Sequence, residues 1–136
     1  MSELIQLSFD KIMQTRSYTV IVLKALEKRF AIYTDSGVGR VLQLYLTNAV
    51  TPRPLTHDFI SKVFESMEIK IKQVVINDVE DTVYFARLFL EQPMGDILHI
   101  IESDGRPSDF LILALMWNAP IYCTKEVLDK TIAVED

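Results

Sequence analysis

The chain has 136 residues, of which 49% are hydrophobic, and a formal net charge of −5. A chain of this size can fold as one domain around a real core, and the single cysteine excludes an internal disulfide and a cysteine-rich zinc site. The longest apolar run, 110–117, is far shorter than the roughly 20 residues that cross a bilayer, and the first residues lack the pattern of a secretory signal. The sequence therefore predicts one soluble cytoplasmic domain with no membrane partner.

The charge also limits how this chain could bind nucleic acid. Proteins that coat a duplex gather Lys and Arg on one face, whereas the basic residues here are scattered, with modest groups at 24–29 and 70–72. Tight, sequence-independent coating of a duplex is therefore not expected. Nucleic acid remains possible as a substrate, because an active site needs only local complementarity.

The first half of the chain predicts three strands followed by two helices. Alternating or β-branched residues indicate strands at 4–12, 18–25 and 30–34. From Val38 the apolar period becomes helical, and this helix ends near Asn48. Thr56 is expected to be the N-cap of a second helix, whose apolar stripe reaches Met67.

The second half repeats this order. Strands are expected at 69–76, 83–90 and 97–102, a helix from Asp109 to Trp117, and an extended segment at 120–123. Thr124 is expected to cap a last helix that runs to about Lys130. Residues 132–136 have no periodicity and are expected to fray.

Matched residues suggest that the halves are related. Four pairs share one spacing: Asp35 and Asp104, Leu42 and Leu111, Leu44 and Leu113, Leu46 and Leu115. Two more, Pro52 with Pro120 and Thr56 with Thr124, differ from it by one residue. Leucine matches in helices are common, so duplication stays open. The expected fold class is α+β, with two β-β-β-α-α units, 1–67 and 69–131, in one compact domain, 1–136.

Two polar segments each precede a helix. Residues 52–58 read Pro-Arg-Pro-Leu-Thr-His-Asp, and residues 104–109 read Asp-Gly-Arg-Pro-Ser-Asp. A helix start has unpaired N–H groups and a partial positive charge, so each segment either holds an anion or is simply well capped. If the halves are related, the two segments could face one another across a cleft.

These two segments resemble the bifunctional nuclease domain family, together with Tyr84-Phe85-Ala86-Arg87-Leu88 and Ala119-Pro120-Ile121. The resemblance is specific from about 51 to 128 and compositional up to about 34. It implies a compact α+β domain, often a whole small bacterial protein and often oligomeric. It also implies an activity assigned to some members, the cleavage of both RNA and DNA.

One position departs from the family. Where the family tends to have a glycine-proline-aromatic-glutamate-alanine helix start, residues 35–39 read Asp-Ser-Gly-Val-Gly, so the acidic residue falls on Val38. The activity could be weakened, or rebuilt on Asp35. The alternative is a non-catalytic interaction or regulatory module that kept the fold.

Several candidate residues have both a functional and a structural interpretation. His57 and Asp58 could move protons or hold a metal ion, or Asp58 could favour the helix dipole. Arg106, Ser108 and Asp109 could bind phosphate, or cap a helix with an internal ion pair. Arg87 shares a strand face with apolar residues and needs a partner: Glu91, Asp78, Asp104 or a ligand anion.

The leading hypothesis is hydrolysis of phosphodiester bonds in RNA and DNA. Phosphate would be bound by Arg53, Arg87 and Arg106, with Ser108 beside it. Asp58, Asp104 and Asp109 would activate water or hold Mg²⁺ or Mn²⁺, the last two being the metal candidates. His57 would be the general acid or base. A homo-oligomer is expected because the apolar helix ending at Trp117 must be covered on nearly every side.

Overall fold

The structure is a computed structural model that describes residues 3–135. It contains seven strands: β1 (Leu4–Gln14), β2 (Tyr18–Ala25), β3 (Lys28–Asp35), β4 (Lys70–Glu80), β5 (Val83–Met94), β6 (Ile97–Gly105) and β7 (Ile121–Thr124). The helices are α1 (Ser36–Leu46), α2 (Thr56–Ser66), α3 (Pro107–Trp117) and α4 (Lys125–Lys130).

All seven strands form one mixed sheet in the order β3-β2-β1-β7-β4-β5-β6. Each half of the chain supplies an antiparallel three-stranded meander. The short strand β7 joins the meanders, antiparallel to β1 and parallel to β4. The fold is therefore α+β, as the sequence predicts.

The core lies between the helices and one face of the sheet. Along β5, Ala86, Leu88 and Leu90 are buried, whereas Val83 and Phe85 are exposed. The sheet curls around this core. The curl is seen in the contact of two rings from distant strands: Phe30 on β3 stacks on Tyr84 on β5 with centroids 5.7 Å apart. Residues that are distant in the strand order therefore meet across the core.

Helix α3 is the centre of the helical layer. Its residues Phe110, Leu111, Ile112, Leu113 and Ala114 are buried, and it packs against α1, α2, β4 and β5. The chain itself therefore covers this apolar helix, so its burial needs no partner subunit. No helix within residues 3–135 is long and apolar enough to cross a membrane.

The structure corrects several details of the sequence prediction. Leu55, not Thr56, is the N-cap of α2, and Thr56 is its first helical residue. Helix α3 begins at Pro107, two residues before the predicted start, because proline suits the first helical position. The second half has an additional strand, β7, and a helix α4 of six residues against eleven in α2, so the structure does not confirm a duplicated β-β-β-α-α unit.

The C-terminal segment lies along the edge strand β3. The N–H of Val134 donates to the carbonyl of Arg29 at 2.8 Å, and the ammonium of Lys28 donates to the carbonyl of Leu128 at 2.6 Å. Of the segment predicted to fray, 132–136, the last residue lies outside the described part of the chain.

Candidate functional site

The starts of α1, α2 and α3 converge around one open cleft of about 470 Å³. Asp35, Gly37, Val38 and Val41 line it from α1, Leu55, Thr56 and His57 from α2, and Arg106 and Asp109 from α3. Each helix start contributes a partial positive charge. The cleft therefore combines an anion-attracting backbone with two carboxylates, a guanidinium and an imidazole.

Asp35 joins α1 to α3. One oxygen, Oδ1, accepts the N–H of Val38 at 2.8 Å and so caps α1. The other, Oδ2, lies 3.3 Å from Nη1 of Arg106. The sequence interpretation considered Asp35 as a substitute acid, and the structure places it at the cleft.

The start of α1 is fixed by the turn between β1 and β2. The side-chain amide of Gln14 donates to the carbonyl of Ser36 at 3.0 Å, and the hydroxyl of Thr19 donates to Oε1 of Gln14 at 2.8 Å. Gly39 lies directly on Thr19, where a Cβ would collide with the threonine hydroxyl. Glycine is therefore required at this close approach of helix and strand.

Asp109 is the most strongly bound carboxylate of the cleft. It is the third residue of α3 and accepts Nε of Arg106 at 2.8 Å on Oδ2 and Nη2 at 3.3 Å on Oδ1. His57 reaches the same Oδ1 with Nε2 at 3.0 Å. The hydrogen bond from His57, and then Arg106, lower the pKa of Asp109 below its ordinary 3.8, against the opposing effect of burial. The same ion pair raises the pKa of Arg106.

His57 is 7% exposed and contacts Asp109 at the wall of the cleft. Because an ionised carboxylate is an acceptor, Nε2 must carry the proton in this hydrogen bond. The other ring nitrogen, Nδ1, is buried and has no hydrogen-bond partner among residues 3–135. His57 therefore holds Asp109 in place through Nε2, the one ring nitrogen for which the described residues supply a hydrogen-bond partner.

Asp58 has a structural role. It accepts the N–H of Leu55 at 2.7 Å and the hydroxyl of Tyr45 at 2.8 Å, which ties α2 to α1. Burial, and then this bond to Asp58, raise the pKa of Tyr45. Asp58 is absent from the lining of the cleft, although it follows His57 directly.

Arg87 and Asp104 lie away from the cleft. They oppose one another in the β5–β6 register, on the sheet face that points away from the core. The side chain of Arg87 is 41% exposed, and its Nε lies 3.6 Å from Glu102, which is none of the three acidic partners suggested by the sequence. The alternation of side chains along β5 correctly places Arg87 on the same face as Val83 and Phe85, but this face is exposed to solvent.

Ser108 and Arg53 also lie outside the cleft lining. Ser108 is buried, and its Oγ accepts the hydroxyl of Thr34 at 3.2 Å, which anchors α3 to β3. Arg53 is exposed in the loop before α2. Val41 and Leu55 form an apolar wall of the cleft with Val38, and the sequence interpretation assigned neither of them a role in the site. The helical spacing of Val38 and Val41 could have indicated that these two residues share one face of α1.

The residues of the cleft do not form a ready metal site. No three His, Cys, Asp or Glu side chains within residues 3–135 are arranged to hold a metal ion. Of the two predicted ligands, Asp109 lines the cleft and Asp104 does not. Both oxygens of Asp35 and of Asp109 are already engaged, so a divalent ion would have to displace Arg106.

Comparison with known proteins identifies the family. Residues 20–136 match the family described as Bifunctional nuclease domain. Since this match covers most of the chain, the protein belongs to the bifunctional nuclease domain family.

Two curated relatives are uncharacterized proteins of Mycobacterium tuberculosis, one from strain CDC 1551 / Oshkosh and one from strain ATCC 25618 / H37Rv. Each is 26% identical to this chain over 120 residues, which is 87% of this chain and 69% of the relative. The similarity to these relatives covers most of this chain, and their names state no activity.

Proposed function

We propose that this chain hydrolyses phosphodiester bonds of RNA and DNA in the cleft formed by the starts of α1, α2 and α3. The observation that supports it most is the continuous series Asp35, Arg106, Asp109 and His57, in which each side chain contacts the next. Family membership gives independent support for nuclease chemistry.

Arg106 would bind the phosphate. Its guanidinium is 59% exposed, so a ligand in the cleft can contact it, and Asp35 and Asp109 orient it before the ligand binds. A guanidinium matches two phosphate oxygens at once. The partial positive charge at three helix starts also favours the negative charge that develops on phosphorus-bound oxygen.

Asp109 would take the proton of the attacking water. In the free protein its lowered pKa makes it a weak base. A phosphate that draws Arg106 away removes two of the interactions that lower this pKa, and so makes the carboxylate a better proton acceptor. The water oxygen then bonds to phosphorus, the bond to the leaving oxygen breaks, and that oxygen takes a proton from solvent. His57 keeps Asp109 aimed at the cleft throughout.

The second candidate is a binding or regulatory module without catalysis. Two observations favour it: Val38 lines the cleft as part of an apolar wall, and the cleft carboxylates are already paired. Both functions use Arg106 as an anion site, so they differ in turnover and not in phosphate binding.

A cleavage assay separates the two candidates. Purified protein is incubated with labelled single- and double-stranded RNA and DNA, with Mg²⁺, with Mn²⁺ and with EDTA. We expect Arg106→Ala to lower cleavage by about 10²–10³-fold. The matched control is Lys125→Ala, which removes the exposed pair with Asp129 on α4 and leaves the rate unchanged. Absence of cleavage in every condition would contradict the nuclease proposal and favour the binding or regulatory module.

The proposed setting is a bacterial cytoplasm, with the protein acting as a homo-oligomer. The surface that best supports self-association is the edge strand β6, where Ile97, Leu98 and Ile100 are exposed. An exposed apolar edge strand readily pairs with another strand. Mg²⁺ or Mn²⁺ remains a proposed cofactor that the EDTA arm tests.

A further inference from the structure

We infer that Tyr18 and Tyr33 form a stacking subsite that holds the bases of a single-stranded substrate next to the cleft. The inference rests on the proposed function in taking the ligand to be nucleic acid, but its residues lie outside the cleft lining. The two rings are in contact, with centroids 6.0 Å apart and planes tilted by 52°. We call this pair the tyrosine platform.

The platform lies on the sheet face that points away from the helices. Thr19 packs beneath Gly39 of α1, so its neighbour Tyr18 points to the opposite face. Val20 pairs with Tyr33 in the β2–β3 register, which places both tyrosines on that same face. Tyr18 is 44% exposed and Tyr33 59% exposed, so ring surface remains available to a ligand.

One strand pair relates the platform to the cleft. Tyr18 is the direct cross-strand partner of Asp35, the residue that caps α1 and pairs with Arg106. Arg16, exposed in the turn before Tyr18, adds a cation at the same end of the sheet. A strand with one phosphate on Arg106 would pass the Asp35 end of β3 to reach these rings.

A second cavity extends the path beyond Tyr33. It has a volume of about 350 Å³ and is lined by Tyr33, Tyr84, Asp81 and Thr131, among others. Its volume suits a small planar group, and its polar side chains could pair with the edge of a base. The aromatic surface therefore runs from Tyr18 through Tyr33 into a pocket, and does not end as an isolated exposed pair.

The chemistry selects a single strand over a duplex. Bases expose their faces to aromatic side chains when the strand is unpaired, and such stacking tolerates any sequence. A net charge of −5 with scattered basic residues gives little phosphate attraction along a duplex. Stacking would therefore supply much of the affinity, and Arg106 would set the position of one phosphate.

Fluorescence anisotropy with labelled oligo-dT and oligo-U of about ten nucleotides tests the inference. We expect Tyr18→Ala and Tyr33→Ala each to raise Kd about fivefold or more, and the Tyr→Phe variants to stay within about twofold of the wild type. The control Phe85→Ala removes an exposed ring on β5 of the same sheet and leaves Kd unchanged. The tyrosine effects persist at high salt, whereas that of Arg106→Ala shrinks.

The outcomes separate this inference from the proposed function. The probe is checked on a gel after each titration, so binding is measured on intact strands. Tyrosine-dependent binding without cleavage would keep the platform and remove the nuclease proposal. Wild-type Kd in folded Tyr18→Ala and Tyr33→Ala, an equal loss in Phe85→Ala, preference for a blunt duplex, or no binding by the wild type would each overturn the platform.

Discussion

At the scale of single residues, the position of Asp109 decides the chemistry of the cleft. Asp58 and Asp109 are both the third residue of a helix, and both follow a proline-containing segment. Their environments differ: Asp58 is bound to a backbone N–H and a tyrosine hydroxyl, whereas Asp109 is bound to an arginine and a histidine at an open cleft. The same local sequence pattern therefore gives one structural and one chemically available carboxylate.

The lowered pKa of Asp109 predicts how the stability of the protein depends on pH. The folded state holds the carboxylate below its ordinary pKa of 3.8, mainly through His57. This contribution is complete well above pH 3.8 and is lost as pH falls through the lower folded value. Because the side chain is partly exposed, we expect about 1 kcal/mol between wild type and Asp109→Asn at neutral pH.

Urea unfolding of both proteins from neutral to strongly acidic pH measures this difference. We expect the gap in free energy of unfolding to close below about pH 3.8. A gap that persists unchanged into strong acid would show that the ion pair and histidine contact contribute nothing through ionisation.

At the scale of elements, two contacts fix the position of α1 relative to α2 and to the sheet. Tyr45 of α1 donates to Asp58 of α2, and Gly39 of α1 lies against Thr19 of β2. None of these four residues lines the cleft, but both contacts hold α1 in place. Changes at these positions therefore act on stability first and on chemistry through position.

Removal of the Tyr45 hydroxyl tests the contact between α1 and α2. We expect Tyr45→Phe to lose about 1.5 kcal/mol of unfolding free energy, because Asp58 loses a charged hydrogen bond. Cleavage of substrate should stay close to the wild-type rate, since Asp58 does not line the cleft. A large loss of activity with an unchanged melting curve would instead assign Asp58 a part in the reaction.

A methyl group at Gly39 tests the fit of α1 on the sheet. We expect Gly39→Ala to cost about 1–3 kcal/mol, because the added Cβ collides with Thr19 and the helix must move. The comparison variant is Arg40→Ala, on the exposed side of the same helix, which should change stability little. Equal stability of the two variants in thermal unfolding would contradict this account of the packing.

At the scale of the whole molecule, the sequence predicts the elements better than their meeting points. The β-branched residues correctly predict strand β2, and the helical period correctly predicts α1 and α2. The exposure of the β5 face that carries Arg87 is not predicted, because the alternation of side chains along a strand does not say which face of the sheet the helices cover. The contact of His57 with Asp109 is not local either: the two residues are far apart in the chain, and they meet because α2 packs on α3.

The exposed apolar residues of the edge strand β6 indicate where two copies of the chain would associate. Ile97, Leu98 and Ile100 are exposed there, and the outer side of β6 has no neighbouring strand within residues 3–135. If the chain forms a homo-oligomer, we expect Ile100→Lys to weaken it, because a charge on an edge strand opposes pairing. Light scattering over a concentration series gives the mass, with Phe59→Lys on α2 as the exposed control. An oligomer unaffected by Ile100→Lys would place the contact elsewhere.

The most direct measurement compares Asp109→Asn with Asp58→Asn in the cleavage assay, each checked for folding by thermal unfolding. The two substitutions are chemically identical and lie at equivalent helix positions. We expect Asp109→Asn to lower the rate at least about 10²-fold, and Asp58→Asn to reduce stability while the folded protein keeps most of its activity. Equal activity of the two folded variants, or a greater loss in Asp58→Asn, would contradict the assignment of the reaction to this cleft.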